Sequence, residues 1–162
     1  MTTLYQIPKV RIPIEARFLN EPPMALEMFV GQGSGHHGGY ERPSEVLNGS
    51  QVFIPMVRTG GEPVIVHRDA LLMVSFEAIH EETLADGASF GDLMGADITV
   101  DLEGGASALG RLEYMMPGDR CRVQDYLNTN LRFLPLRDGA LMRLIHARFI
   151  RRVTLRSPES VR

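Results

Sequence analysis

Apolar and polar residues alternate from Val10 to Phe18, with Val10, Ile12, Ile14, Ala16 and Phe18 on one side and Arg11, Pro13, Glu15 and Arg17 on the other. A period of two with charge on one face predicts a half-buried β-strand. Pro13 cannot donate to a ladder, so it is expected at an edge or an unpaired position. Asn20-Glu21-Pro22-Pro23 then reads as a turn, because each proline fixes its own φ and restricts the residue before it. Ala25 to Val30 supplies a second strand. Glu41 to Gly49 predicts a single helical turn, with Pro43 near its start and Asn48-Gly49 at its exit. A hairpin through Thr59-Gly60-Gly61-Glu62 and a strand reaching Val74 complete this stretch.

The same pattern is then written again. Leu47-Asn48 recurs as Leu127-Asn128, and Phe53-Ile54-Pro55 recurs as Phe133-Leu134-Pro135 at the same spacing. Val66-His67-Arg68 falls on Ile145-His146-Ala147, Leu71 on Ile150 and Val74 on Val153, after a one-residue deletion in the turn. Upstream, Ile12 matches Ile98, Ile14 matches Val100 and Leu26-Glu27 matches Leu112-Glu113. Arg122 to Asn128 is the second helical turn, and Asp138-Gly139 is a strong signal for the second hairpin. The chain therefore divides into repeat 1 at residues 8–76, a linker at 77–94 and repeat 2 at 95–156. Phe76 to Ala85 has apolar residues at helix-like spacing, which places a short helix in the linker. The glycine-rich stretch Gly31 to Tyr40 is an insertion peculiar to the first copy and is expected to be mobile. The tail beyond Leu155, with Ser157, Pro158 and Ser160, is expected to fray.

Two antiparallel units of this kind predict a mainly β fold. They would form two small β-barrel or sandwich repeats, packed with pseudo-twofold symmetry and carrying short helical turns. The halves are expected to pack on one another, because a unit of this size buries only a modest fraction of its surface alone. The strand pattern, with Gly110-Arg111-Leu112 on a bending second strand, resembles SH3-like and Sm-like barrels. The Leu-Asn-x4-Phe-Leu-Pro signature resembles a short domain of bacterial proteins whose function is uncharacterised. That resemblance implies a fold and attaches no catalytic residues to it.

Composition narrows the function classes. The 162 residues are 44% hydrophobic with a formal net charge of -3, ordinary for a globular chain and unlike a dedicated nucleic-acid binder. Lys9 is the sole lysine, so the basic inventory is almost all arginine. Arg143, Arg148, Arg151, Arg152 and Arg156 concentrate positive charge near the C-terminus, either as an anionic binding patch or as charge that blocks edge-to-edge pairing. Cys121 is the only cysteine, which excludes an internal disulfide. The N-terminal stretch lacks a basic segment followed by an apolar run, and no stretch reaches the roughly 18 apolar residues of a membrane span. A cytoplasmic location with no membrane partner is expected.

Candidate chemistry is sparse. His36 and His37 are adjacent, so their side chains diverge on an extended backbone, and no third ligand lies in the same loop. His67 and His146 occupy matching positions, and as a pair facing each other they would titrate near neutrality. Arginines beside Cys121 would activate its thiol, yet nothing identifies a base to accompany it. The glycine-rich loop lacks a phosphate-binding pattern, and no metal or cofactor is expected. Of the nine methionines, Met24, Met28, Met115 and Met116 could form an adaptable apolar surface for a partner, and core packing is the favoured reading. The pattern thus points to a non-catalytic bacterial binding or regulatory module acting through protein contacts or self-association. One alternative is an Sm-like RNA-binding protein using the C-terminal arginines. Another is a small ligand-binding protein or enzyme with a site between the repeats, around His67 and His146.

Overall fold

In a computed structural model of the chain, the residues described are 9–31, 39–81, 93–119 and 122–161. The alternating segment at the start forms β1 (Lys9–Phe18), which buries Ile12, Ile14 and Ala16 and exposes Arg11, Pro13 and Glu15. It pairs with β2 (Met24–Gly31) from Lys9 to Ala16, while its other neighbour reaches only Glu15 to Phe18. Pro13 therefore has an open side, as a residue without an N–H requires. The helical turn is α1 (Pro43–Leu47), followed by the hairpin β3 (Phe53–Arg58) and β4 (Pro63–His67). Gly60 and Gly61 hold φ of 104° and 94° in the hairpin turn, a region that only glycine enters at little cost. A 3-10 turn at Arg68–Ala70 leads into β5 (Leu71–Glu77).

The second half runs through β6 (Leu93–Leu102), β7 (Ser107–Met115), α2 (Val123–Leu127), β8 (Phe133–Asp138) and β9 (Leu141–His146). A 3-10 turn at Ala147–Phe149, β10 (Ile150–Leu155) and the two-residue β11 (Ser160–Val161) complete it. All pairings are antiparallel, and one continuous path runs β10-β6-β7-β8-β9-β5-β1-β2-β3-β4, with β11 beside β6. The fold is mainly β with few short helices.

Two expectations are corrected. Phe76 and Glu77, read as the start of a linker helix, belong to β5, and only a 3-10 turn at Ala78–His80 follows them. The rest of that stretch, residues 82–92, lies outside the described residues, as do residues 32–38 of the glycine-rich insertion. The tail is also not frayed. Ser157 Oγ accepts a hydrogen bond from Asp97 N–H at 2.9 Å, and Ser160 and Val161 pair with Gly95 and Met94. Glu159 Oε1 accepts from Val123 N–H at 2.8 Å, satisfying an orphan donor at the start of α2. Glu81 does the same for α1, accepting from Ser44 N–H at 3.2 Å.

Two hydrophobic cores lie along the sheet, and each borrows from the other half. The first gathers Ile14, Leu26, Leu47, Ile54 and Val74, and takes in Phe133 and Leu144 from the second half. The second gathers Ile98, Leu112, Leu134 and Leu136, and takes in Leu72 and Met73 from the first. The exchange occurs where β5 pairs with β9, from Met73 opposite Ile145 to Glu77 opposite Leu141. Met28 is fully buried, and Met24 and Met116 pack against the first and second cores, but Met115 at the end of β7 is 43% exposed and corrects the core expectation there. Phe133 has no exposed surface, so Phe133→Ala removes a ring from the first core although the residue belongs to the second half. We expect a loss of about 3–5 kcal/mol, read by urea denaturation.

Candidate functional site

Two of the candidate histidines and their polar neighbours lie at the ends of β4 and β9. His67 ends β4 and His146 ends β9, and each accepts a hydrogen bond at Nδ1 from the main chain two residues on. The donors are Asp69 N–H at 3.0 Å and Arg148 N–H at 3.3 Å. Each ring also stands edge-on to a phenylalanine, His67 to Phe53 at 4.8 Å and His146 to Phe133 at 4.7 Å. Their exposure differs, since His146 is buried and His67 is exposed.

Asp69 contacts both imidazoles. Its main chain serves His67, and its Oδ1 lies 3.2 Å from His146 Nε2. Because Nδ1 of His146 is occupied as an acceptor, the ring proton sits on Nε2 and donates to the carboxylate. Burial lowers the His146 pKa below 6.5, against the opposing pull of Asp69, so the ring is neutral at pH 7. The hydrogen bond from His146 lowers the Asp69 pKa and keeps that carboxylate ionised. Arg148 closes over the pair, donating to Asp69 O at 3.2 Å and lying over the Phe149 ring at 4.8 Å.

A second set of contacts lies behind it. Arg68 is almost fully buried, with its guanidinium donating to Gly49 O, and burial lowers its pKa. Arg132 Nη1 reaches the same carbonyl at 3.4 Å, and Asn48 Oδ1 accepts from Phe133 N–H at 3.0 Å. The Leu-Asn of the first motif thus holds the Phe of the second: Leu47 is in the core that receives Phe133, and Asn48 takes its main-chain proton. Arg132 and Asn48 were not among the candidate residues. The recurrence of Leu-Asn ahead of Phe was the signal that marked them.

The remaining candidates disperse. Arg143 on β9 forms an ion pair with Asp138, and Arg152 on β10 forms one with Asp101 at 2.9 Å. Arg151 and Arg156 are exposed on and just beyond β10. His36, His37 and Cys121 lie outside the described residues. Among the described residues, no group of three or more His, Cys, Asp or Glu side chains could hold a metal ion. No helix among the described residues is long and apolar enough to cross a membrane.

A shallow surface cavity of about 500 Å³ opens beside the junction, with His67, Asp69, Arg148 and Phe149 in its lining. His146 is not in that lining, and among the described residues no hydroxyl or thiol is seen hydrogen-bonded to either imidazole. The His-Asp pair therefore has the geometry of a clasp between halves. Searches against protein-family models, curated proteins and solved structures return no match for the chain.

Two outcomes follow for the clasp. Asp69→Ala leaves a buried imidazole N–H without its acceptor and should cost about 1–3 kcal/mol, measured by urea denaturation at pH 7.5. Lowering the pH should also weaken the fold. The unfolded chain takes up a proton at histidine near pH 6.5 while folded His146 resists it, so the unfolded state binds more protons and stability drops as pH falls through that value. A second decline follows at lower pH, where the unfolded chain protonates its aspartates before folded Asp69 does. The difference in unfolding midpoint between pH 7.5 and 5.5 should shrink in His146→Gln.

Proposed function

We propose that the chain is a non-catalytic protein-interaction module, built from two related small β-barrel units and working in the cytoplasm. Several observations support the relation between the units. The first five strands lie in the order β5-β1-β2-β3-β4 and the second five in the order β10-β6-β7-β8-β9. A short helix precedes the third strand of each set, and a 3-10 turn precedes the fifth. The matched histidines repeat both their local hydrogen bond and their phenylalanine neighbour. This is the arrangement expected of duplicated SH3-like or Sm-like barrels, and the Leu-Asn-x4-Phe motif marks the same joint in each.

The observation that carries the interaction role is the outer edge of the sheet at β4. Among the described residues this strand pairs only with β3, which leaves its other side as an open edge. Ile65 on β4 is 72% exposed and Phe53 on the adjacent strand is 60% exposed, with Val52 beside it at 40%. Open main-chain donors and acceptors beside exposed apolar side chains are the requirements for adding a strand from a partner. Natural edges usually carry charge to prevent that, and Ile65 does not.

The arginines offer weaker support for an RNA-binding role, because Arg143 and Arg152 are already held by Asp138 and Asp101. The test is capture of binding proteins from a host extract on the immobilised chain, in parallel with Ile65→Lys. A protein retained by the wild type and lost with the variant is the expected result. Capture of nuclease-sensitive material, or of protein that ignores the Ile65 change, overturns the reading.

A further inference from the structure

We infer that the partner of the open β4 edge is β10 of a second copy of this chain, joined in the same register as β5 and β9. The inference rests on the protein-interaction reading and names its occupant. Inside the chain, the fifth strand of the first unit pairs with the fourth strand of the second. The fifth strand of the second unit, β10, and the fourth strand of the first, β4, stand at opposite ends of the sheet. One molecule therefore contains a completed joint and the two separated halves of another.

The side chains carry the same message. At the completed joint Leu47, Leu71, Val74, Phe133 and Leu144 show no exposed surface, and Phe76 is 3% exposed. Under the proposed equivalence their counterparts are Leu127, Ile150, Val153, Phe53, Ile65 and Leu155. Every one of these is less buried: Phe53, Ile65 and Leu155 are 60%, 72% and 51% exposed, and Leu127, Ile150 and Val153 are half-buried. Four of the latter set lie on the β10 and α2 side of the second unit, and two lie on β3 and β4. Apolar groups that a joint covers within the chain thus wait uncovered on two surfaces that fit each other.

Transferring the internal register sets Val153 opposite Ile65, Leu155 opposite Pro63 and Arg156 opposite Glu62 of the second copy. The last pair is of opposite charge. Asn128, exposed at the exit of α2, stands to Phe53 of that copy as Asn48 stands to Phe133. The match is not complete, because Arg151 and Arg152 replace Leu72 and Met73, which the second core takes in at the internal joint. The contact between copies is accordingly more polar than the one within the chain, and salt should loosen it. Donor edge and acceptor edge are different surfaces, so the contact is head to tail and closes into a ring when the rotation permits.

The test is native mass spectrometry with light scattering at low salt on three forms of the full chain. Wild type should give multiples of the 18.1 kDa chain, and Ile65→Lys should give the 18.1 kDa monomer with an unchanged far-ultraviolet circular dichroism spectrum. Ile65→Cys with Val153→Cys, in a Cys121→Ser background, should give covalent multimers on oxidation, and either cysteine alone should give none above a dimer. A wild type that stays monomeric overturns the inference, as does a multimer that survives Ile65→Lys and is not locked by the cysteine pair. A monomer whose β4 edge binds another protein overturns this inference and leaves the interaction reading standing; loss of both overturns both.

Discussion

The pairing of β5 with β9 is the constraint on which the rest of the molecule depends. Each core is completed by side chains from across that joint: Phe133 and Leu144 enter the first, Leu72 and Met73 the second. Successive residues of a strand face opposite sides, so one strand can feed both cores only in a single register. A slip of one residue would turn Val74 and Leu144 out of the first core. The joint is fixed further by polar contacts at its end, where Asn48, Asp69, Arg68 and His146 find partners across it or beside it.

Those polar contacts gather a histidine, an aspartate and several arginines at the joint. The His146 ring has both nitrogens committed, one to a main-chain donor and one to Asp69, and burial holds it neutral. A general base needs an accessible nitrogen aimed at a reacting proton, which this ring does not offer. The exposed counterpart, His67, lines an open surface beside Phe53 on the edge of the sheet. What differs between the two positions is whether a neighbouring strand covers them, and that difference links the packing to the proposed interaction role.

Much of the secondary structure was legible because it rests on local rules. Alternation fixed β1, glycine and Asp-Gly marked the hairpins, and Pro43 with Asn48 bounded the helical turn. The order of the strands was not legible, since alternation says which residues are buried and not which strand lies alongside. The tail was missed for a related reason. A two-residue strand has no periodicity, and Ser157 and Glu159 act through single hydrogen bonds to Asp97 and Val123, distant in sequence. For the site, the recurrence of His67 and His146 was visible, but burial of one and exposure of the other comes from the joint. Asp69 was visible only as a neighbour of His67, whereas its carboxylate serves the other histidine.

Native-state amide hydrogen exchange along a urea series tests the central role of the joint most directly. If the two cores depend on β5 and β9, amides from Met73 to Phe76 and at Leu144 and Ile145 should be among the slowest to exchange. Amides of both cores should then lose protection together in one global transition. Independent loss of protection in the two halves, with β5 and β9 already open, would contradict the account.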